Sequence, residues 1–372
     1  MALVVTKEEP ASVYPDIAEI ERGRSAATEC YARVQSGCSP TRHGLKTRLL
    51  ITGGVGFIGS HFVDLVVSLG GQVVVVDDLS SGRVDNLPAH PSVEFVKKDF
   101  RICEARDFAG QFDAIVHLAA RPSVATSWEQ PMEAHESNLS LTLHAIMLAR
   151  ELCIKRVIFA SSAAVYGETA EVPTKESSQT SPSSPYGLQK QTSERYGQLF
   201  AEALGLSFVS LRFFNVFGPR QSPSSPYSGV ISQFLAAMQK GLPVNITGDG
   251  EQTRDFIYVK DVAAALQAAV TKISNEIPWL VLNVGTGVPA SILKLRREMI
   301  QFFPDADKVP IFLPIAPGDI RHSAACITAA AEVLGFSSRY SLQDGLAELF
   351  RDSVKLCKPS GASEQEMPRR QS

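Results

Sequence analysis

The chain has 372 residues and a formal net charge of −3, with 36 Lys and Arg against 39 Asp and Glu. So even a balance offers no basis for holding a nucleic-acid backbone, which needs clustered excess cation, and nucleic acid is not an expected partner. Six cysteines (Cys30, Cys38, Cys103, Cys153, Cys326, Cys357) lack CxxC or tight Cys/His spacing, so neither a metal site nor a disulfide framework is expected, and no stretch reaches bilayer-spanning apolar length.

Residues 1–46 mix KEEP, ERGR and SGCSPTRHG with little periodicity and are expected to be a disordered N-terminal extension. The opening MALVVTKEEP meets Lys7, Glu8 and Glu9 too early for a secretory leader, so a reducing, cytoplasmic setting is expected, with no membrane partner. From TRLLIT onward, short apolar runs alternate with amphipathic stretches. RLLIT (48–52), QVVVVDD (72–78), VEFVKKD (93–99), FDAIVHLAA (112–120), RVIFASS (156–162) and LSFVSLRFFN (206–215) read as strands buried on both faces. The segments between them, such as GSHFVDLVVSL and EAHESNLSLTLHAIMLARE, carry apolar residues three and four apart, as helical crossovers between parallel strands do. The fold class expected is α/β, a doubly wound parallel sheet of Rossmann type over 47–215.

After residue 216 the rhythm changes. Loop-rich GPRQSPSSPYSG precedes helical VISQFLAAMQKG, extended PVNITGDGEQTRDFIYV and helical KDVAAALQAAV, which reads as mainly a smaller substrate-binding lobe over 216–356. The polar tail 357–372 has no apolar period to repay the entropy of ordering it, and disorder is expected there.

Within the first unit, ITGGVGFIGSH places Gly53, Gly56 and Gly59 between a strand and a helix. Missing Cβ atoms permit a sharp turn and close approach of a pyrophosphate, while the unpaired N–H groups of the helix's first turn face it. The next strand ends in Asp77, 24 residues after Gly53, where an acid can accept hydrogen bonds from ribose hydroxyls. A dinucleotide follows, and the paired carboxylates Asp77 and Asp78 favour NAD over NADP, with Arg83 the one residue that argues otherwise.

SPYGLQK holds Tyr186 and Lys190 four apart, on one face of an expected helix. An ammonium beside a phenol favours the phenolate, making a proton shuttle of a group that otherwise titrates near ~10. In FASSAAVYG, Ser161 and Ser162 end a strand 24 residues before Tyr186, counted from Ser162, where a hydroxyl can reach the same substrate oxygen.

TGGxGFIGS, SSxxVYG, SPYxxxK, RxFNVFGPRQ and DFIYVxDV occur here in that order. The chain therefore resembles the extended short-chain dehydrogenase/reductase family, most of all its NAD-dependent nucleoside-diphosphate-sugar epimerases of the UDP-glucose 4-epimerase type, over roughly 47–350. That resemblance implies that Tyr186 takes the sugar 4-hydroxyl proton while C4 passes a hydride to NAD, and that the 4-keto sugar turns and takes the hydride back on its other face. It implies that Ser162 polarises that oxygen and that Lys190 holds the nicotinamide ribose and tunes Tyr186. It also gives NAD contacts to Phe57, Ile58, Asp99, Phe100, Leu118, Ala119, Ala120, Asn138 and Phe214; strand-end packing is the competing reading for most of these, Asp99 is better supported because a polar side chain ending a buried strand wants a partner, and Asn138 serves equally as a hydrogen-bonder inside a helix. It further implies a homodimer built on two helices per subunit, one of them bearing Tyr186.

On the substrate side, Asn215 and Arg254 match positions that contact the UDP-sugar diphosphate, as a guanidinium forking onto phosphate oxygens would. For Arg254 the competing reading is a surface salt bridge to Asp249 or Asp255. Ala316 stands where relatives have a second phosphate-binding arginine, three before Asp319, and Cys326 stands where they have an aspartate. Arg321 is the candidate substitute. Ser323 stands where glucose-restricted relatives have a tyrosine, which leaves room for N-acetylated sugars. Dehydratases of this fold carry Asp-Glu at the places of Ala163 and Ala164, and decarboxylases keep the Glu, so neither chemistry is expected. A UDP-glucuronate 4-epimerase, a dehydrogenase that releases NADH, and a catalytically silent dinucleotide sensor complete the alternatives.

Overall fold

The structure, a computed structural model, describes residues 47–168, 171–221, 229–315 and 320–357. The expectations for 1–46, for Ala316 and Asp319, and for all of the tail beyond Cys357 lie outside the described residues.

The strands are β1 (Arg48–Thr52), β2 (Gln72–Asp77), β3 (Val93–Lys97), β4 (Ala114–His117), β5 (Arg156–Ser162), β6 (Ser207–Phe213), β7 (Asn215–Phe217), β8 (Asn245–Thr247), β9 (Thr253–Tyr258), β10 (Trp279–Val284), β11 (Pro289–Ser291) and β12 (Ile311–Leu313). Seven form one sheet in the order β10-β6-β5-β4-β1-β2-β3, and each neighbouring pair is parallel. The doubly wound sheet expected from the apolar runs is therefore present. Because side chains alternate across a strand, Leu49 and Ile51 enter one core with Val73 and Val75, while Leu50, Val74 and Val76 enter the core on the opposite face. A strand covered on both sides has no polar face to show, which is why its sequence is a continuous apolar run. Chain order reverses at β1: β2 lies on one side, and β4, after a crossover, on the other. The crevice at the ends of β1 and β4 is where such sheets bind ligands.

Not all of the chain after residue 216 lies outside the main sheet. Helix Val259–Lys272 packs on helix Phe57–Ser68, and β10 pairs with β6, so residues 259–284 return to the main sheet. Val262, Leu266, Ala269, Leu282 and Val284 belong to the same apolar core as β1. What remains is a separate lobe: the sheet β11-β9-β7, the pair β12-β8, and helices Val230–Gln239, Ile292–Ile300 and Leu342–Cys357. Its own core includes Phe234, Ile246, Phe256, Leu295 and Leu346. An amphipathic period reports that a helix has a buried face but not which layer buries it.

Among the described residues no group of His, Cys, Asp and Glu could hold a metal ion, and no helix is long and apolar enough to cross a membrane. Cys103 and Cys326 are free thiols.

Candidate active site

The glycine loop is held by close backbone contacts. Gly53 adopts φ +70°, and a Cβ there would lie 2.7 Å from the backbone nitrogen of Ala119 at the end of β4. A Cβ on Gly59 would lie 2.3 Å from the Gly53 carbonyl oxygen, so the helix can start this close to the turn only without a side chain. Helix Phe57–Ser68 begins at Gly56 with no side-chain cap, which leaves first-turn N–H groups for an anion. Phe57 and Ile58 offer those N–H groups, while their side chains pack against the core of the smaller lobe.

Asp77, at the end of β2, accepts hydrogen bonds from the backbone of Leu79 (3.0 Å) and Val55 (3.3 Å), and thus stands beside the loop. Burial pushes its carboxyl up, against the pull of those two N–H groups. Asp78 is exposed and accepts from the Ser80 nitrogen. Asp99 is tied to Arg101 at 2.6 Å, and the guanidinium holds the carboxyl below its usual range. Phe100 is buried against the rings of His117 and His144. Leu118, Ala119 and Ala120 follow β4; Ala119 donates its N–H to Thr52 Oγ (3.2 Å), joining the β4 end to the β1 end. Asn138 lies in a π-helical turn, where Oδ1 accepts from the Arg121 backbone (2.9 Å) and Nδ2 donates to Gln189 (2.7 Å). Both ends of its amide are thus engaged by protein. Phe214 is buried against the Tyr166 ring. The Cβ-free turn, the uncapped helix start and the acid at the tip of β2 together fit a dinucleotide.

Sequence reasoning placed Ser162, Tyr186 and Lys190 together, and the structure does so. Helix Pro185–Leu204 starts at Ser184, whose hydroxyl accepts from the Gly187 nitrogen (3.1 Å), and Pro185 occupies its first turn. The Tyr186 backbone donates to Ser127 Oγ (3.1 Å), and its phenol lies close enough to the Ser162 hydroxyl at the end of β5 for that hydroxyl to favour the phenolate. Lys190, one turn on, donates from Nζ to the Ala160 carbonyl (2.8 Å), with Nζ 4.7 Å from the Phe159 ring centroid. The expectation that Lys190 makes Tyr186 acidic is corrected for the chain by itself. Burial pushes the phenol up to about 12, with Ser162 opposing, and pushes Lys190 down to about 7, with Glu194 opposing. The ammonium rests on a strand carbonyl, so desolvation outweighs its attraction for phenolate.

A cavity of about 220 Å³ opens beside these residues, lined by Ser162, Tyr186, Asn215, Arg254, His322 and Ser323 among others. Arg254 donates from Nη1 to the Thr253 carbonyl (2.9 Å) and lines the cavity wall. Arg321, proposed from sequence as an anion ligand, instead forks onto Asp249 at 2.6 and 2.9 Å, with both side chains exposed and neither lining the cavity. Asp249 is thus engaged by Arg321. Asp255, fully buried, accepts from Thr286, Gly287 and Ala325 and anchors the segment bearing Ser323.

Two contributors escaped sequence reasoning. Besides Asp255, His322 faces the cavity with Nδ1 at 3.1 Å from Thr253 Oγ1. Alternation along an extended segment, Arg321 out and His322 in, was the available signal, but nothing marked the segment as extended. A larger cavity of about 470 Å³, lined by Lys294, Arg339 and Tyr340, lies in the smaller lobe and contains none of these residues.

Behind the site, buried His117 is bonded through Nδ1 to Thr52 Oγ1 (2.7 Å), and burial, aided by the Lys190 charge, pushes it down to about 3. Its folded-state value lies below the unfolded one, so its contribution to stability is complete above about pH 6.5 and declines as pH falls toward 3, by at most roughly 1.4 kcal/mol per unit. Thermal melts across that range should fall less steeply for His117→Asn than for the wild type; parallel slopes would contradict this.

The model of the NAD dependent epimerase/dehydratase family matches residues 49–285. A UDP-glucose 4-epimerase of Mycolicibacterium smegmatis is 35% identical over 314 residues, covering 82% of this chain and 99% of the relative. Among solved structures, a UDP-N-acetylglucosamine 4-epimerase from Methanobrevibacter ruminantium in complex with UDP-N-acetylmuramic acid has a TM-score of 0.79 at 37% identity, covering 84% of this chain and 99% of its own. A UDP-glucose 4-epimerase from Thermotoga maritima, solved with UDP-glucose, also reaches 0.79, at 36% identity, covering 84% and 100%.

Proposed function

The chain belongs to the NAD dependent epimerase/dehydratase family, and on that premise we propose that it is a UDP-sugar 4-epimerase, interconverting UDP-glucose with UDP-galactose and UDP-GlcNAc with UDP-GalNAc. The observation that carries this reading is the Ser162–Tyr186 hydroxyl pair, with Lys190 behind it, on the wall of a cavity that also presents Asn215 and Arg254.

NAD, when bound, would supply the hydride acceptor for sugar C4 and give the hydride back, so nothing would be consumed. Gly53, Gly56, Gly59 and the first turn of helix Phe57–Ser68 would hold its diphosphate, and Asp77 would take the ribose hydroxyls. By the family resemblance Asp78, Asp99, Phe100, Leu118, Ala119, Ala120 and Phe214 would complete that site, with Asn138 fixed beside it by Arg121 and Gln189. Tyr186 takes the 4-hydroxyl proton and later returns it to the same oxygen, while Ser162 holds that oxygen at the phenol. Lys190 binds the nicotinamide ribose and, once drawn from the Ala160 carbonyl, favours phenolate. Arg254 and Asn215 hold the substrate diphosphate, and Ser323 leaves space beside the sugar. Asp319 and Arg321 stay candidates for substrate contact from the sequence; Arg321 must first leave Asp249.

Dehydration and decarboxylation gain no support, because Ala163 and Ala164 line the cavity where an acid and a base would have to stand. A silent sensor would have no use for Ser162 set beside buried Tyr186 and Lys190. We also place the protein in the cytoplasm, in keeping with the free thiols of Cys103 and Cys326. A homodimer is supported by Leu188, Tyr196 and Leu199, exposed apolar residues along one side of helix Pro185–Leu204.

The test is a panel of UDP-Glc, UDP-Gal, UDP-GlcNAc, UDP-GalNAc and UDP-glucuronate incubated with NAD-loaded enzyme and no added oxidant, with products resolved by NMR. Both neutral pairs should interconvert, and Ser323→Tyr should lower kcat/KM for the N-acetylated pair by on the order of 10²-fold while sparing glucose. No interconversion of either pair would overturn the reading, and turnover of UDP-glucuronate alone would replace it.

A further inference from the structure

Below the cavity lies a buried polar cluster that the mechanism above does not use. Glu194 and Arg212 form an ion pair between side chains only 5% and 6% exposed, with Arg212 Nη2 to Glu194 Oε2 at 2.7 Å and Nε to Oε1 at 2.9 Å. Ser161, the neighbour of Ser162 on β5, donates to Glu194 Oε1 at 2.5 Å. Arg212 also donates to the Tyr166 hydroxyl (2.9 Å), which in turn donates to Asn283 (2.7 Å), and Tyr166 reaches the cavity wall. A pair this deep is costly to desolvate, and apolar residues would often serve stability as well, so its retention asks for another reason.

Placement supplies one. Tyr186, Lys190 and Glu194 follow one another at intervals of four along one helix, so they share a face. Glu194 is thereby fixed to the strand end that carries Ser162 and stands one turn from Lys190. The groups facing Lys190 are Tyr186 and Glu194 on its own helix, neutral His117 on β4, the Ala160 carbonyl and Phe159 ring on β5, and, through Glu194, Arg212 on β6. Glu194 is the one anion among them.

We propose that Glu194, clamped by Arg212 and Ser161, is a positioning residue for the reaction, holding Lys190 in its charged form and in register with Ser162 and Tyr186. The inference rests on the functional reading above. Burial drives Lys190 toward the neutral amine, and the carboxylate of Glu194 opposes that drift. Without it, the lysine surrenders its proton at lower pH and ceases to favour phenolate.

The experiment is kcat and KM against pH for the NAD-loaded enzyme. In Glu194→Gln, which keeps shape but leaves Arg212 unneutralised, the alkaline limb of kcat should move down by about one pH unit, a tenfold loss at fixed pH on that limb. Turnover should recover at lower pH, and KM should change little. Glu194→Met combined with Arg212→Met removes both charges and should move the limb in the same direction by less; it also decides the matter if Glu194→Gln does not fold. A folded variant with the wild-type profile, or with a loss equal at every pH, overturns the proposal. Lys190→Met separates this from failure of the parent reading: wild-type turnover in that variant would sink the functional reading itself, whereas a severe loss there leaves the reading intact and lets the Glu194 profiles decide.

Discussion

Replacing Tyr186 by phenylalanine should lower kcat by on the order of 10² to 10⁴-fold, the usual worth of a positioned proton-transfer group, while NAD stays bound. The ring would be retained in its buried place, since the backbone of Tyr186 is held by Ser127 and helix Pro185–Leu204 is capped independently at Ser184. Only the hydroxyl disappears, and with it the interaction of the phenol with Ser162. Steady-state rates with UDP-glucose, paired with the NAD content of the purified protein, measure the two effects separately. A variant that retains wild-type kcat would show that the proton leaves by another route, and the assignment of Tyr186 would fall. Burial raises the phenol of the chain by itself, so positive charge is expected to approach that oxygen once ligands are bound.

Substitution of Gly53 by alanine should do comparable harm by a different route. Its φ of +70° strains any L side chain, at roughly 1–2 kcal/mol, and the new methyl would sit 2.7 Å from the Ala119 nitrogen, a backbone atom that cannot rotate away. The β1 and β4 ends would have to separate where the diphosphate is expected. The expected outcome is loss of NAD from the purified protein together with a melting temperature several degrees lower. Retention of NAD with an unchanged melting curve would mean that the turn is not the dinucleotide cradle.

These two residues illustrate what local sequence can carry. Gly53 was legible because a strand, a glycine turn and a helix must occur in that order for the turn to work, and each leaves its own local mark. Tyr186 and Lys190 were legible because four residues is one helical turn. By contrast, the upward pull of burial on the Tyr186 phenol was not legible, since spacing reports proximity to a lysine but not how deeply both groups are buried. Desolvation is a property of everything packed around them, contributed by β4, β5 and the segment 124–127. Arg321 and Arg254 reveal the same limit: both are arginines close to an aspartate in sequence or space, and only the fold shows that Asp249 takes Arg321 while Arg254 lines the cavity.

The return of residues 259–284 to the sheet was not legible for a related reason. Helix Val259–Lys272 has a clear apolar face, but its partner, helix Phe57–Ser68, lies some two hundred residues earlier in the chain. By itself, then, the sequence determined the parallel sheet, the glycine turn and the Ser, Tyr and Lys set, because strand and helix periods and turn chemistry act over a few residues. Tertiary structure alone decided which arginine meets the cavity, which acids are buried, how the phenol titrates and where residues 259–284 return to the sheet. Those outcomes depend on contacts between distant segments, and on the low polarity their packing creates.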